Sequence, residues 1–287
     1  MDLPQETTTR DDGRGLATPA FGTTRPVPRA TVTPDPARAG ALPSVPQYSR
    51  RRILGTWAAA ALPMAALAWV GGPLLADALE GPSAWPRAIL VCLTAGLVWQ
   101  FILVMGALRH EQGTLRWSVA KEALWLRSPR SPRSGRSGGR LWWLLVPLVL
   151  LVAATEELPS LPSPDHRDLG TFLQSSAGQD FMAGNWPWFA LILTMMILNT
   201  VLGEELLFRG LLLPRMRGAF GRGDWCANGV LFAVYHLHVP WAIPASLLDM
   251  FLVSYPASRY RSALIGICVH SVQTVVLGAL TLLLVLG

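Results

Sequence analysis

From about residue 50 onward the chain is written in long apolar runs, broken by short polar stretches. Seven runs stand out, at about 53–75, 88–108, 141–154, 186–213, 226–239, 242–257 and 263–286. Crossing a bilayer takes about 20 apolar residues in a helix, and most of these runs approach that length. None alternates residue by residue, as the strands of a membrane barrel would. The pattern predicts an all-α polytopic membrane protein: a bundle of about seven to eight transmembrane helices around an intramembrane polar cavity. The third run is short and carries Pro147. The fifth and sixth are separated only by Pro240-Trp241, so a tight helical hairpin is expected there.

Before the first run, residues 1–50 are rich in Pro, Thr, Ala, Gly and Arg and poor in large apolar residues. Such a segment buries too little surface to offset its ordering entropy, so a disordered tail is expected. The first apolar run begins only after Arg50-Arg51-Arg52, which reads as a signal anchor rather than a cleavable leader. Three regions follow: this tail, N-terminal transmembrane helices over 51–185 with a basic loop at 109–140, and a C-terminal transmembrane core over 186–287.

Charge then orients the bundle. The 287 residues are 51% hydrophobic and 15% charged, with a formal net charge of +6. Lys121 is the only lysine. Arginines gather in the tail, in the 109–140 loop, after the fourth run (Arg215, Arg217, Arg222) and after the sixth (Arg259, Arg261). The opposite loops hold Asp77, Glu80, Glu156, Glu157, Asp165, Asp168 and Asp180. By the positive-inside rule the N-terminus and the basic loops face the cytoplasm of a multi-pass protein of the cell (inner) membrane. Trp142, Trp143, Trp186 and Trp188 sit at segment ends, as an aromatic belt requires. Within the basic loop, 115–126 reads as a short amphipathic surface helix. The Ser-Pro-Arg-rich run after it reads as a flexible stretch contacting phospholipid. No nucleic-acid motif accompanies the arginines, so nucleic acid is not an expected partner. Cys92, Cys226 and Cys268 form no CxxC pair, and no disulfide framework is implied.

The chemistry lies in the polar residues at depth. Gly203-Glu204-Glu205-Leu206-Leu207-Phe208-Arg209-Gly210 puts two carboxylates and a guanidinium inside the fourth run. Ionisable groups at membrane depth are costly and point to function. Measured from the arginine-rich ends of their runs, Glu204 lies about 15 Å deep, His236 about 16 Å and His270 about 12 Å. Three such groups at one level predict a polar cavity open to the cytoplasm. Glu205 and Arg209 are four apart and share a helix face. Glu204 points about 100° away, which leaves it free to face the cavity. Phe232, four before His236, is expected to wall that cavity, and His238 to point to the far side of its helix. A water held between Glu204 and the histidines, deprotonated by the carboxylate, would attack a peptide carbonyl. One carboxylate and two histidines also make a zinc set, so Glu204, His236 and His270 with a divalent metal are an alternative. No His-Glu-x-x-His motif is present.

These residues resemble the CPBP family, the intramembrane CAAX-type proteases and their bacterial relatives, also called ABI proteins. Its Glu-Glu-x-x-x-Arg motif corresponds to Glu204-Glu205-x-x-x-Arg209, its Phe-x-x-x-His to Phe232 and His236, and its third His to His270. The family has Asn four after that His; here Thr274 stands there, beside Gln273. The resemblance covers about residues 190–286. It implies an intramembrane endopeptidase in which Glu204 activates water with help from His236. His270 would line the site and assist the oxyanion, with Thr274 or Gln273 supplying the family's Asn contact. The implied substrate is a hydrophobic or membrane-anchored peptide or protein. A non-catalytic scaffold or peptide-immunity factor of the same family is the alternative, and a proton-coupled transporter using Glu204 a more distant one. Two acidic sites stand apart. Glu156-Glu157 precedes Pro159, has no arginine four on, and reads as a loop. Asp249, mid-run, is expected to pair across helices or line a substrate path.

Overall fold

The structure, a computed structural model, describes residues 45–81, 83–155, 161–163 and 167–287. The tail over 1–44 and the pair Glu156-Glu157 lie outside the described residues. Those described are helical and contain no strand. Four helices are long and apolar enough to cross a membrane: α1 (Arg50–Asp77), α2 (Ala84–Gln112), α5 (Trp186–Arg215) and α8 (Leu264–Leu286). Their outward faces carry large exposed apolar side chains such as Leu62, Ile102, Val275 and Leu283. That pattern suits lipid rather than water, so this is a multi-pass membrane protein. The other expected crossings form shorter elements. The third run becomes α4 (Gly139–Thr155) and the fifth becomes α6 (Asp224–Tyr235). The sixth becomes short helical stretches, Pro240–Ala242, Ile243–Ser246 and the π-helical Met250–Ser254, the last running directly into α7 (Tyr255–Tyr260).

Local sequence explains these boundaries. Ser49 caps α1, its hydroxyl accepting from the Arg52 amide at 3.3 Å, as helix starts prefer. Pro63 lies inside α1 and has no N–H to give to Ala59. The indole of Trp99 on α2 donates to the Ala59 carbonyl instead, at 2.8 Å. In an apolar medium every such orphan needs a partner. Helix α6 stops at Tyr235 because Val239 precedes a proline and is kept out of the helical region, with φ −140° and ψ 68°. A tight turn over His236–His238 follows. The Trp69 indole of α1 donates to the Leu237 carbonyl at 2.8 Å and holds that turn in place.

Buried apolar residues of α1, α2, α5, α6 and the short helix α3 (Trp117–Ala123) form the main core, among them Met64, Leu97, Leu124, Phe208 and Tyr235. A second cluster joins α4 to Val253, Ile265 and Val269. The fully buried Asn228 stitches three elements. Its amide donates to the Phe208 carbonyl of α5 at 2.9 Å, and its carbonyl accepts from the Ser254 hydroxyl at 3.1 Å.

Two expectations change at the arginine-rich end. Arg215, counted above as a loop cation, is fully buried and binds Glu111 at 2.7 and 2.9 Å. It also donates to the carbonyls of Leu211 and Ala123. Glu111 in turn meets Arg52 at 3.0 Å and the Tyr48 hydroxyl. This knot ties the starts and ends of α1, α2 and α5 together. Burial and the Glu111 hydrogen bond push the Tyr48 phenol up to about 12. The Ser-Pro-Arg run, expected to be flexible, is a folded hairpin: Ser131 donates to Arg136, Gly135 to Ser131 and Gly138 to Pro129. Arg130 N donates to the Tyr260 carbonyl at 2.9 Å, fastening the hairpin to α7.

Candidate active site

Helix α5 brings the acidic pair to the centre of the bundle. The pair is flanked by two π-helical stretches, Leu198–Gly203 and Leu206–Leu212. Such wide turns are rare and frequently mark functional positions. Both carboxylates are buried, Glu205 completely.

Glu205 belongs to a dense ionic cluster. Its Oε1 lies 2.9 Å from Arg209 Nη1 and 3.0 Å from His270 Nδ1. The arginine contact is an ion pair that falls short of an aligned hydrogen bond. The Arg209 guanidinium also lies over the Phe232 ring, 4.0 Å from its centroid. That cation–π contact adds attraction in a desolvated place. His270 faces a second acid, its Nε2 being 3.8 Å from Asp249 Oδ1. Room for the Glu205 carboxylate comes from Gly266, one turn before His270 on α8. A Cβ there would lie 1.9 Å from Glu205 Oε2 and 2.9 Å from Val253 Cγ1.

Glu204 stands outside that cluster and faces His236, with Nε2 to Oε1 at 3.9 Å. His236 Nδ1 lies 3.0 Å from the Phe232 carbonyl. A carbonyl only accepts, so Nδ1 carries the proton, and the neutral ring turns its Nε2 lone pair toward Glu204. Tyr235 also reaches Glu204. Its oxygen accepts from Gln100 Nε2 of α2 at 2.6 Å, which leaves the hydroxyl proton for the carboxylate.

The three sequence motifs therefore meet, with Phe232 at their middle. Its ring is 5.0 Å from His236 and 6.2 Å from His270. The pairing differs from the expected trio, because His270 contacts Glu205 and Asp249 while Glu204 faces His236 alone among the histidines. His236 also occupies the turn after α6 rather than a helix interior. As a result His238 stacks beside it, ring centroids 5.6 Å apart, instead of pointing away. The Thr274 hydroxyl is hydrogen-bonded to Thr200, one turn before Glu204 on α5. Gln273 lies partly buried beside it. Sequence reasoning passed over Tyr235 and Gln100. Gln100 carried a signal, being a polar residue in the middle of an apolar run.

Among the described residues no three His, Cys, Asp or Glu side chains converge to hold a metal ion. Of the Glu204, His236 and His270 set, His236 Nε2 lies 3.9 Å from Glu204 Oε1, while the short contact of His270 goes to Glu205.

No characterised protein and no solved structure matches the chain. A family model described as type II CAAX prenyl endopeptidase, Rce1-like, matches residues 186–276, from the start of α5 into α8. The matched segment contains Glu204, Glu205, Arg209, Phe232, His236, Asp249 and His270. Through it, residues 186–276 of the chain are similar to the CPBP/CAAX protease family.

Proposed function

We propose that the protein is a glutamate-dependent intramembrane endopeptidase that hydrolyses a peptide bond of a membrane-associated protein or peptide. The observation that carries this reading is the 3.9 Å gap between Glu204 Oε1 and His236 Nε2. Both groups are acceptors there, and a polar gap of that width suits a bridging water that donates to each. In the proposed step the water oxygen bonds to the substrate carbonyl carbon while one water proton passes to Glu204. His236 and Tyr235 hold the water and the carboxylate. His270 is fixed through Nδ1 by Glu205 at 3.0 Å. Its Nε2, in the looser contact with Asp249, is the nitrogen free to turn to the developing oxyanion. Glu204 then returns the proton to the departing amine as the C–N bond breaks, leaving an amine and a carboxylic acid that retains the second water proton. Glu205, Arg209 and Phe232 hold the frame, and Asp249 positions His270. Thr274 or Gln273 stands where the family's Asn contact is expected. No step needs a metal.

The shorter elements α4 and α6 and the broken helical stretch over 240–260 would complete a bundle of seven membrane segments around a polar cavity. By the arginine distribution, its mouth and the N-terminus face the cytoplasm of the cell membrane. A non-catalytic family member is the second reading. It draws on Thr274, whose hydroxyl is occupied by Thr200 rather than held out to a substrate. Full-length protein in detergent, challenged with a peptide library, separates the two. Glu204→Gln is expected to remove all cleavage seen with the wild type. Equal product from both proteins would sink the catalytic assignment, and no cleavage by either favours the scaffold.

A further inference from the structure

At the arginine-rich end of the bundle lies a cavity of about 1000 Å³. It is walled by the 125–135 hairpin, by the chain between α5 and α6, and by the end of α7. Five arginines line it: Arg130, Arg217, Arg222, Arg259 and Arg261. The one lining carboxylate, Asp224, is already engaged. It meets Arg217 at 3.1 Å, the Ser258 hydroxyl at 3.0 Å and the Trp225 amide at 2.7 Å. Among the described residues no carboxylate pairs with Arg222, Arg259 or Arg261. Cations concentrated around a cavity without counter-charges repel one another, and an anion inside would relieve this. Guanidinium forks suit the oxygens of a phosphate.

Size and setting narrow the ligand. The volume is at the upper end for small-molecule sites and far larger than an inorganic ion needs. One wall is aromatic: Trp225 packs on Phe251 and Tyr255 at centroid distances of 5.7 and 5.2 Å. Trp225 and Tyr255 line the cavity and Phe251 lies behind them; Tyr255 is 45% and Phe251 55% exposed, so the aromatic side runs out to the apolar outer face. Guanidinium groups inside and exposed rings at the rim match a phosphate head beside acyl chains. We propose that this cavity binds the phosphate of an anionic phospholipid, clamping the hairpin, the α5–α6 junction and α7 together. The hairpin is already fastened to α7 and α8 through Arg130 N to Tyr260 O, Ala263 N to Trp125 O and Arg127 Nε to Arg261 O. Its wall is therefore formed before any lipid arrives.

The test uses full-length protein in a zwitterionic detergent, with thermal unfolding and native mass spectrometry as readouts. Dioleoylphosphatidylglycerol should raise the unfolding temperature and remain bound. Dioleoylphosphatidylcholine and inorganic phosphate should do neither. Arg222→Gln/Arg259→Gln/Arg261→Gln should weaken phosphatidylglycerol binding at least tenfold and remove the thermal gain. Arg133→Gln/Arg136→Gln/Arg140→Gln removes equal charge from the same end but outside the cavity, and should keep both. Should the first triple variant fail to fold, Arg222→Gln alone should weaken binding several-fold. Undiminished binding by the cavity variants, equal loss in the control, or an equal gain from inorganic phosphate would each overturn the proposal.

Discussion

Gly266→Ala is the most direct probe of where Glu205 sits. A methyl at this position would lie 1.9 Å from Glu205 Oε2, 2.8 Å from its carboxyl carbon and 2.9 Å from Val253 Cγ1. All three distances are shorter than real carbon contacts, so something must move. Forcing a methyl into a packed interior costs about 1–3 kcal/mol. If Glu205 retreats, its ion pairs at 2.9 Å to Arg209 and 3.0 Å to His270 lengthen, at about 1–3 kcal/mol for buried groups in direct contact. Against this, alanine is better than glycine in a helix by about 1 kcal/mol. The net expectation is a loss of about 2–4 kcal/mol, measured by denaturant titration in detergent micelles. A second substitution localises the effect. Glu205→Asp draws the carboxylate back by about 1.5 Å, one carbon–carbon bond. Gly266→Ala should therefore cost much less in the Glu205→Asp background, giving a coupling of about 1–2 kcal/mol in a double-mutant cycle. If Gly266→Ala is neutral or stabilising, helix propensity alone is at work, and Glu205 does not occupy the space beside α8.

Glu205→Gln should lower stability by about 3–5 kcal/mol, because Arg209 is left charged, buried and unpaired; Glu204→Gln should leave stability unchanged or raise it. The same unfolding titration checks both, and equal losses would refute the separation of the two acids. Glu111→Gln should cost about 3 kcal/mol by stranding the buried Arg215. Glu122→Gln breaks a pair with Arg127 whose side chains are 20% and 29% exposed, and should cost about 1 kcal/mol or less. Tyr48 sets an alkaline limit. Its folded value of about 12 lies above the ordinary phenol value of 10.0. The stabilisation is therefore complete below pH about 10 and lost as pH rises toward about 12. Unfolding temperatures across that range should fall more for the wild type than for Tyr48→Phe; parallel curves would rule the phenol out.

Much of this was legible in the sequence, and what was not has specific causes. The all-helical class and the membrane setting followed from run length. The meeting of Glu204, Glu205, Arg209, Phe232, His236 and His270 followed from their shared depth. Depth fixes height along a helix but not rotation around it, and rotation decided which histidine met which acid. The 100° step used to separate Glu204 from Glu205 also loses its phase where the backbone widens into π turns on both sides of the pair. The i, i+4 contact of Glu205 with Arg209 survives. The expected break at Pro240-Trp241 is present, but the α-helix of the fifth run already ends at Tyr235, four residues before Val239, and the chain tightens into a 3-10 turn over His236–His238. Arg215 was miscounted for another reason. The positive-inside rule counts charges near membrane ends, whereas Glu111, a buried partner 104 residues away in sequence, is fixed only by tertiary packing.

The environments of the two adjacent acids explain how a buried site keeps one of them free to react. Glu205 shares its cluster with Arg209, His270 and Asp249, so two carboxylates oppose a guanidinium and an imidazole. Within hydrogen-bonding distances such a group can approach neutrality without any proton passing to a substrate. Its cost and its rigidity are structural, and Gly266 is left without a side chain to accommodate it. Glu204 has no guanidinium of its own. Its neighbours are a phenol, oriented by Gln100, and a histidine lone pair at 3.9 Å. The charged groups Arg209, His270, Glu205 and Asp249 act on it at longer range, and the histidine lone pair favours a small donor between it and the carboxylate. An acid tied into a tight ion pair makes a poor base, because taking a proton would break the pair. An acid held by neutral groups can exchange protons at little structural cost. On the proposed reading, the one-residue step between the two acids also divides support from chemistry, with Glu205 holding His270 at 3.0 Å and Glu204 left facing His236.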